Sequence, residues 1–202
     1  MQARSGTRRP GGAKIAAMSV ALRGSMTPDE FLAWEEGQEF KHEFDGFGPV
    51  AMVGVTFNHA VIQGNLIASL TARLRGTRCR ALGSDLKVKA ADSIRYPDAF
   101  VTCTLGPGGA TVVHDPVVVF EILSPSTAKT DRITKNREYR ATPSIQRYVM
   151  LEQDEIAATV FERAGEDWIG HVLAADAVLR MPEIGVELPL DELYDGFDPA
   201  AG

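Results

Sequence analysis

The chain has 202 residues, 45% of them hydrophobic, and a formal net charge of −6. That length supports one substantial core and favours one domain, and no stretch reaches the roughly 18 to 20 consecutive apolar residues of a membrane span. Two cysteines, Cys79 and Cys103, form no C-x-x-C pair; neither a zinc knuckle nor a disulfide framework is suggested, and a reducing cytoplasm is expected.

The first 24 residues carry Arg4, Arg8, Arg9, Lys14 and Arg23 and no acid. They read as a disordered basic leader ahead of one domain over 25–202, with Met18 or Met26 as an alternative start. An export signal is the competing reading, since Arg8 and Arg9 precede "IAAMSVAL", but that segment is Ala-rich, weakly apolar and closed by Arg23. Without these five cations the net of −6 becomes −11. A body so acidic is no general nucleic-acid adhesive, because phosphate neutralisation supplies most non-specific affinity. Two basic clusters allow local contact instead: "RLRGTRCR", and "KTDRITKNREYR" with Lys129, Arg132, Lys135, Arg137 and Arg140.

In "TPDEFLAWEEG", Thr27 as N-cap, Pro28 at the first helical position and acids in the first turn predict a helix over 28–36. "FKHEFDGFGPVAMVGV" is punctuated by Gly and Pro and reads as a twisted edge hairpin. From Asn58 to Arg75, the positions Ile62, Leu66, Ile67, Leu70 and Leu74 recur at helical spacing until Gly76. "CRALGSDLKVKA" reads as one strand and "RYPDAFVTCTL" as a second, with Pro97 near its start. "GPGGAT" lacks the G-K-[ST] ending of a phosphate loop and reads as a turn. "PVVVFEIL" is the third and most buried strand. Ser124 to Thr127 supply cap chemistry for a polar helix over 128–141, stopped by Pro143. "IQRYVMLEQ" is a fourth strand; "AATVFERAG", "DWIGHVLA" and a short helix near "LDELYDG" follow. The order predicts an α/β or α+β class with a mixed sheet.

Glu121 is the anomaly, an acid near the end of a buried apolar strand, where an ionised carboxylate needs a cation, hydrogen bonds or a shifted pKa. If the second and third strands are neighbours, Asp98 and Glu121 project from the same end of the sheet. Two carboxylates there repel unless a cation lies between them, and hard oxygen donors favour Mg²⁺ or Mn²⁺. The competing reading pairs Glu121 with an arginine of the following helix and makes Asp98 a strand-end cap. His59, at the start of the long helix, stands either beside the sheet end or half-buried in a structural role. Glu43 is an acid at a strand edge, a ligand or a solvated group. His42, His114 and His171 show no metal spacing, and Ser124 and Ser126 lack a nucleophile elbow.

"RYPDAFV", "DPVVVFEILSPST", "DRITKNREY" and "IQRYVML", in that order, resemble the Uma-two family of restriction-endonuclease-like proteins, a branch of the PD-(D/E)XK nuclease superfamily. The similarity runs from about Thr27 to Trp168 and includes "KHEF" and "NH" upstream. It implies a restriction-endonuclease-like αβββαβ core, here with an N-terminal hairpin and a C-terminal β extension, and a Mg²⁺-dependent phosphodiesterase site. Asp98 matches the superfamily aspartate and Glu121 the acid of the second half-motif, with the backbone carbonyl of Ile122 joining the metal shell. Two positions depart from the pattern. Leu123 stands where the superfamily lysine is expected, so Lys135 is its substitute, one turn from Asp131 and Tyr139. Glu43 lies one residue closer to the Asp-Gly pair than in relatives.

The resemblance therefore implies metal-dependent hydrolysis of nucleic acid, DNA foremost, by Asp98, Glu121 and Lys135, with His59, Glu43 and Tyr139 as auxiliaries. A homodimer follows by analogy, since two strands need two sites. The other reading is a catalytically inactive module of the same fold that binds nucleic acid or protein.

Overall fold

The computed structural model describes residues 26–198. The basic leader, with its export and start-site readings, lies outside the described residues.

Helix α1 (Pro28–Glu35) begins as the sequence predicts, with a reciprocal capping box between Thr27 and Glu30. It drops Phe31 against Phe44 and Ile94. Strands β1 (His42–Phe44) and β2 (Pro49–Ala51) form the predicted hairpin. Its turn is held by Asp45, whose Oδ1 accepts from the N–H groups of Phe47 and Gly48, while Gly46 takes φ 88°, a left-handed conformation suited to glycine. Thr56 caps helix α2 (Phe57–Arg73), and the buried stripe Ile62, Leu66 and Leu70 faces a sheet.

Each of the next two expected strands is in fact two. Strands β3 (Arg80–Gly83) and β4 (Lys87–Ala90) are separated by a turn closed by Leu86 N–H to the Gly83 carbonyl. Strands β5 (Ser93–Arg95) and β6 (Ala99–Thr102) are separated at Pro97, which has no N–H for a ladder. The chain thus steps from one sheet to the other and back. Strands β7 (Val112–Val113) and β8 (Pro116–Ile122) follow. The helix expected over 128–141 divides into a π-helical turn (Thr130–Lys135) and helix α3 (Asn136–Ala141), ending one residue before Thr142 and Pro143. Strand β9 (Arg147–Leu151) then runs parallel to β8, closing a β-α-β unit.

Strands β10 (Ala157–Ala164) and β11 (Asp167–Ala174) extend this sheet. The ribbon of β12 (Val178–Met181) and β13 (Val186–Pro189), which the sequence reading did not single out, packs its Leu179, Met181 and Leu188 on the α2 side; the short helix expected near "LDELYDG" is a 3-10 turn (Asp191–Tyr194). Two mixed sheets result, ordered β2-β1-β5-β4-β7 and β11-β10-β9-β8-β6-β3. The class is α+β, with the β8-α3-β9 unit at the centre of the larger sheet.

Alternation along β8 decides which groups meet. Val118, Phe120 and Ile122 enter the core under α2, whereas Val119 and Leu123 enter the core under α3. Glu121 therefore points towards α3.

Cys79 and Cys103, expected as separate thiols, are bonded to each other. Strands β3 and β6 pair Arg80 with Thr102, which places Cys79 opposite Cys103, and the two are joined by a disulfide with Cα atoms 3.9 Å apart. With neither cysteine free, the two residues give no support to the expectation of a reducing cytoplasm.

Candidate active site

Glu121 is 3% exposed, and its partners come from the crossover. Lys135 Nζ lies 3.0 Å from Oε1, and the Tyr139 hydroxyl donates to the same oxygen at 2.7 Å. Neither bond uses Oε2. The partner is thus a lysine with a tyrosine, and no arginine of the helix pairs with Glu121. The widened turn also brings Asp131 to the ammonium: Lys135 Nζ is 3.2 Å from Asp131 Oδ1 and 3.3 Å from Glu43 Oε1. One buried ammonium thus lies among three carboxylates.

Burial pushes the Glu121 carboxyl well above the usual carboxylate range, aided by Asp131, Asp98 and Glu43 and opposed by Lys135. Burial also raises Asp131, again against Lys135. For Lys135, burial alone would lower the pKa; attraction by Glu121, Glu43 and Asp131 outweighs it, so the ammonium is held more tightly than in water. Burial and the Glu121 charge together raise Tyr139, which remains a phenol and a donor.

Asp98 sits at the corner between β5 and β6, where the ladder Ala99↔Phe120 continues to place it opposite Glu121. Its Oδ1 is 2.9 Å from His59 Nε2, and its Oδ2 accepts the Ile122 N–H at 2.7 Å. Gln63 donates to its backbone carbonyl at 2.8 Å. The first turn of α2 and the end of β8 thus clamp one carboxylate. Ile122 meets Asp98 through its N–H, a contact the resemblance does not imply; its side chain is in the core.

Glu43 is buried rather than solvated at a strand edge. Oε2 accepts from Arg95 at 3.1 Å, and Oε1 accepts from the Tyr96 N–H at 3.0 Å. Arg95, 1% exposed, forks onto Glu138 through Nε and one terminal nitrogen, both at 2.8 Å. Arg95 and Glu138 escaped the sequence reading. The available signal was the arginine three residues before Asp98 on the same short segment, beside the glutamate of "NREY".

Five carboxyl groups (Glu43, Asp98, Glu121, Asp131 and Glu138) therefore share the region with two permanent cations, Lys135 and Arg95. A divalent cation would offset the mutual repulsion that, with burial, raises the Glu121 carboxyl. Among the described residues, no group of three or more His, Cys, Asp or Glu side chains is arranged to enclose a metal ion, since the Lys135 ammonium stands between the carboxylates. Asp98 and Glu121 remain as a two-carboxylate donor set of hard oxygens. Carboxylate oxygens are of the kind that hold Mg²⁺, with water and substrate phosphate completing its shell; Glu121 Oε2 lies outside the Lys135 and Tyr139 bonds, whereas both Asp98 oxygens are already engaged by His59 and the Ile122 N–H.

The comparisons agree with this architecture. An uncharacterized protein of Synechocystis sp., slr1290, is 33% identical over 186 residues, covering 90% of this chain and 98% of its own. A second from the same organism, sll1609, is 26% identical over 158 residues, covering 75% and 89%. A crystal structure from Anabaena variabilis, titled as a "putative nuclease belonging to DUF820", superposes with a TM-score of 0.71 at 21% identity, over 86% of this chain and 99% of that one; it is a likeness of fold. The pattern of the family described as "Putative restriction endonuclease" matches residues 28–191, and the chain belongs to that family, Uma2.

Proposed function

We propose that the site hydrolyses phosphodiester bonds of nucleic acid, DNA foremost, with Mg²⁺ or Mn²⁺ held by Asp98 and Glu121. The observation that carries this reading is the register that sets Asp98, at the corner just before β6, opposite Glu121 on β8, with His59 bound to the first carboxylate and Lys135 to the second. A divalent ion there supplies Lewis-acid charge to a phosphoryl oxygen and makes water more acidic. The protein's own groups do the rest. His59 and the Ile122 N–H fix the Asp98 carboxylate, limiting reorganisation when substrate arrives. Lys135 brings fixed positive charge towards an anionic transition state, and Tyr139 holds Glu121 Oε1 from the other side. Arg95 fixes Glu43, whose other oxygen lies beside the ammonium. Cutting both strands of a duplex calls for two such sites, hence a homodimer.

The test is cleavage of plasmid and single-stranded DNA by Asp98→Asn and Glu121→Gln, each checked for fold by circular dichroism. Both should lose Mg²⁺-dependent cleavage; full cleavage by either excludes the assignment. One observation favours a second reading, a non-cleaving module that binds nucleic acid or protein: Lys135 is already engaged by three carboxylates. The melting midpoint separates the two. A metal site raises it on adding millimolar Mg²⁺ or Mn²⁺, whereas a module without metal leaves it unmoved.

A further inference from the structure

The largest unburied apolar side chains are concentrated in one stretch. Phe40, Phe47, Val50, Met52, Val53, Val55 and Phe57 are 68%, 77%, 46%, 37%, 66%, 59% and 76% exposed. They follow the β1–β2 hairpin and its exit into α2. From Gly46 to Asn58 no residue carries a charge, although 24% of the chain's residues are charged. Isolated exposed hydrophobics need no explanation, but a contiguous uncharged run of this kind marks an interaction surface. The absence of any basic residue disfavours a phosphate-bearing partner, whose affinity depends on Lys and Arg.

The backbone points the same way. β2 is the outermost strand of its sheet, and its far edge carries no paired strand among the described residues. Met52 N–H donates to the Lys41 carbonyl, so alternation along this antiparallel pair turns Val50 and Met52 towards β1 and leaves the N–H and C=O of Ala51 facing outward. An open antiparallel edge is self-complementary about a twofold axis, because the same donor and acceptor meet their own copies. Pro49, without an N–H, keeps that pairing short, so the apolar side chains must supply most of the hold. At these exposures the seven side chains present on the order of 800 Å², close to the roughly 800 Å² per partner of a standard stable interface.

We propose that the outer edge of β2 and the uncharged segment after it form the interface with a second copy of this chain, the two β2 strands pairing antiparallel about Ala51. This names the surface of the homodimer in the preceding reading. It is measured without a cleavage assay, so the two can fail separately.

Sedimentation at micromolar concentration tests it, with Phe47→Asp and Val53→Asp placed on the surface and Val172→Asp as a control on β11, one of the two edge strands of the other sheet, where Val172 is 73% exposed. Circular dichroism and thermal melting check that every variant folds. The wild type should sediment at twice the chain mass, Phe47→Asp and Val53→Asp should weaken self-association at least about tenfold, and Val172→Asp should leave it unchanged. A monomeric wild type, including one whose Phe47 segment instead captures lipid vesicles or single-stranded DNA, overturns the proposal. So does a dimer indifferent to both hairpin substitutions or dissociated by Val172→Asp.

Discussion

Lys135 places its ammonium 3.0 Å from Glu121 Oε1 although the two residues are 14 positions apart. The superfamily pattern puts its lysine two positions after the acid, on the same strand. Here Leu123 fills that place and is 3% exposed in the core under α3. The cation beside Glu121 comes instead from the turn packed over the strand, on the face towards which strand alternation points Glu121.

Replacing Lys135 by Met leaves Glu121, Asp131 and Glu43 facing one another without their shared cation. Removing one member of a buried pair typically costs about 3–5 kcal/mol, because the remaining charge is uncompensated. Urea denaturation of Lys135→Met should show a loss of that order. The double variant Lys135→Met with Glu121→Gln should lose less than the sum of the singles, since the residues are in contact. Additive losses would mean that the pair is not energetically coupled.

The alkaline limb of stability follows from the same cluster. Lys135 is raised in the folded protein above its ordinary 10.5, burial opposing and the three carboxylates prevailing. Tyr139 and Tyr148 are raised above 10.0, chiefly by burial. A raised group binds its proton more tightly folded than unfolded, so its stabilisation is complete below the unfolded pKa and is lost as pH rises towards the folded one. The melting midpoint should therefore fall from about pH 9 to about pH 11 and beyond, and fall less steeply in Tyr139→Phe. A midpoint level across that interval would contradict the arrangement.

Arg95 is the second cation of the region and the more deeply buried. Its fork onto Glu138 and its bond to Glu43 tie β5 to α3 and β1. Arg95→Met should destabilise by about 3–5 kcal/mol. Arg95→Lys should recover only part of this, because an ammonium cannot reproduce three bonds in a planar fork. Denaturation midpoints of the two variants decide the matter; full recovery with lysine would reduce the role of Arg95 to charge alone.

The placing of Asp98 opposite Glu121 was legible because the segments carrying them lead into β6 and end β8, successive strands of the larger sheet in chain order, and such strands tend to be neighbours. Lys135 and Tyr139 could be placed on one helix face by spacing. The partition into two sheets was not legible, since "CRALGSDLKVKA" and "RYPDAFVTCTL" alternate acceptably as single strands, and only tertiary packing decides that each turns a corner. Arg95 stayed hidden for a related reason. An arginine in a strand reads as solvated, and its burial depends on Glu43 and Glu138, 52 and 43 positions away. The π-helical turn has no signal in hydrophobic spacing, which cannot distinguish it from the first turns of an α-helix.

The disulfide shows the same limit and yields the last prediction. Cys79 and Cys103 are separated by 24 positions, and only the register of β3 against β6, Arg80 opposite Thr102, makes them neighbours. A cross-link spanning such a loop removes unfolded-chain entropy worth about 3 kcal/mol. Reduction, or Cys79→Ser with Cys103→Ser, should therefore lower unfolding stability by about that amount, while leaving the Asp98 and Glu121 end of the sheet folded, because Asp98 precedes β6 and Cys103 follows it. Urea titrations with and without reductant supply the measurement, and the rise in melting midpoint with Mg²⁺ that the proposed site calls for supplies the local readout. A reduced protein of unchanged stability would show that the two thiols sit side by side without a bond; loss of the metal response on reduction would show that the cross-link reaches the acidic end of the strand.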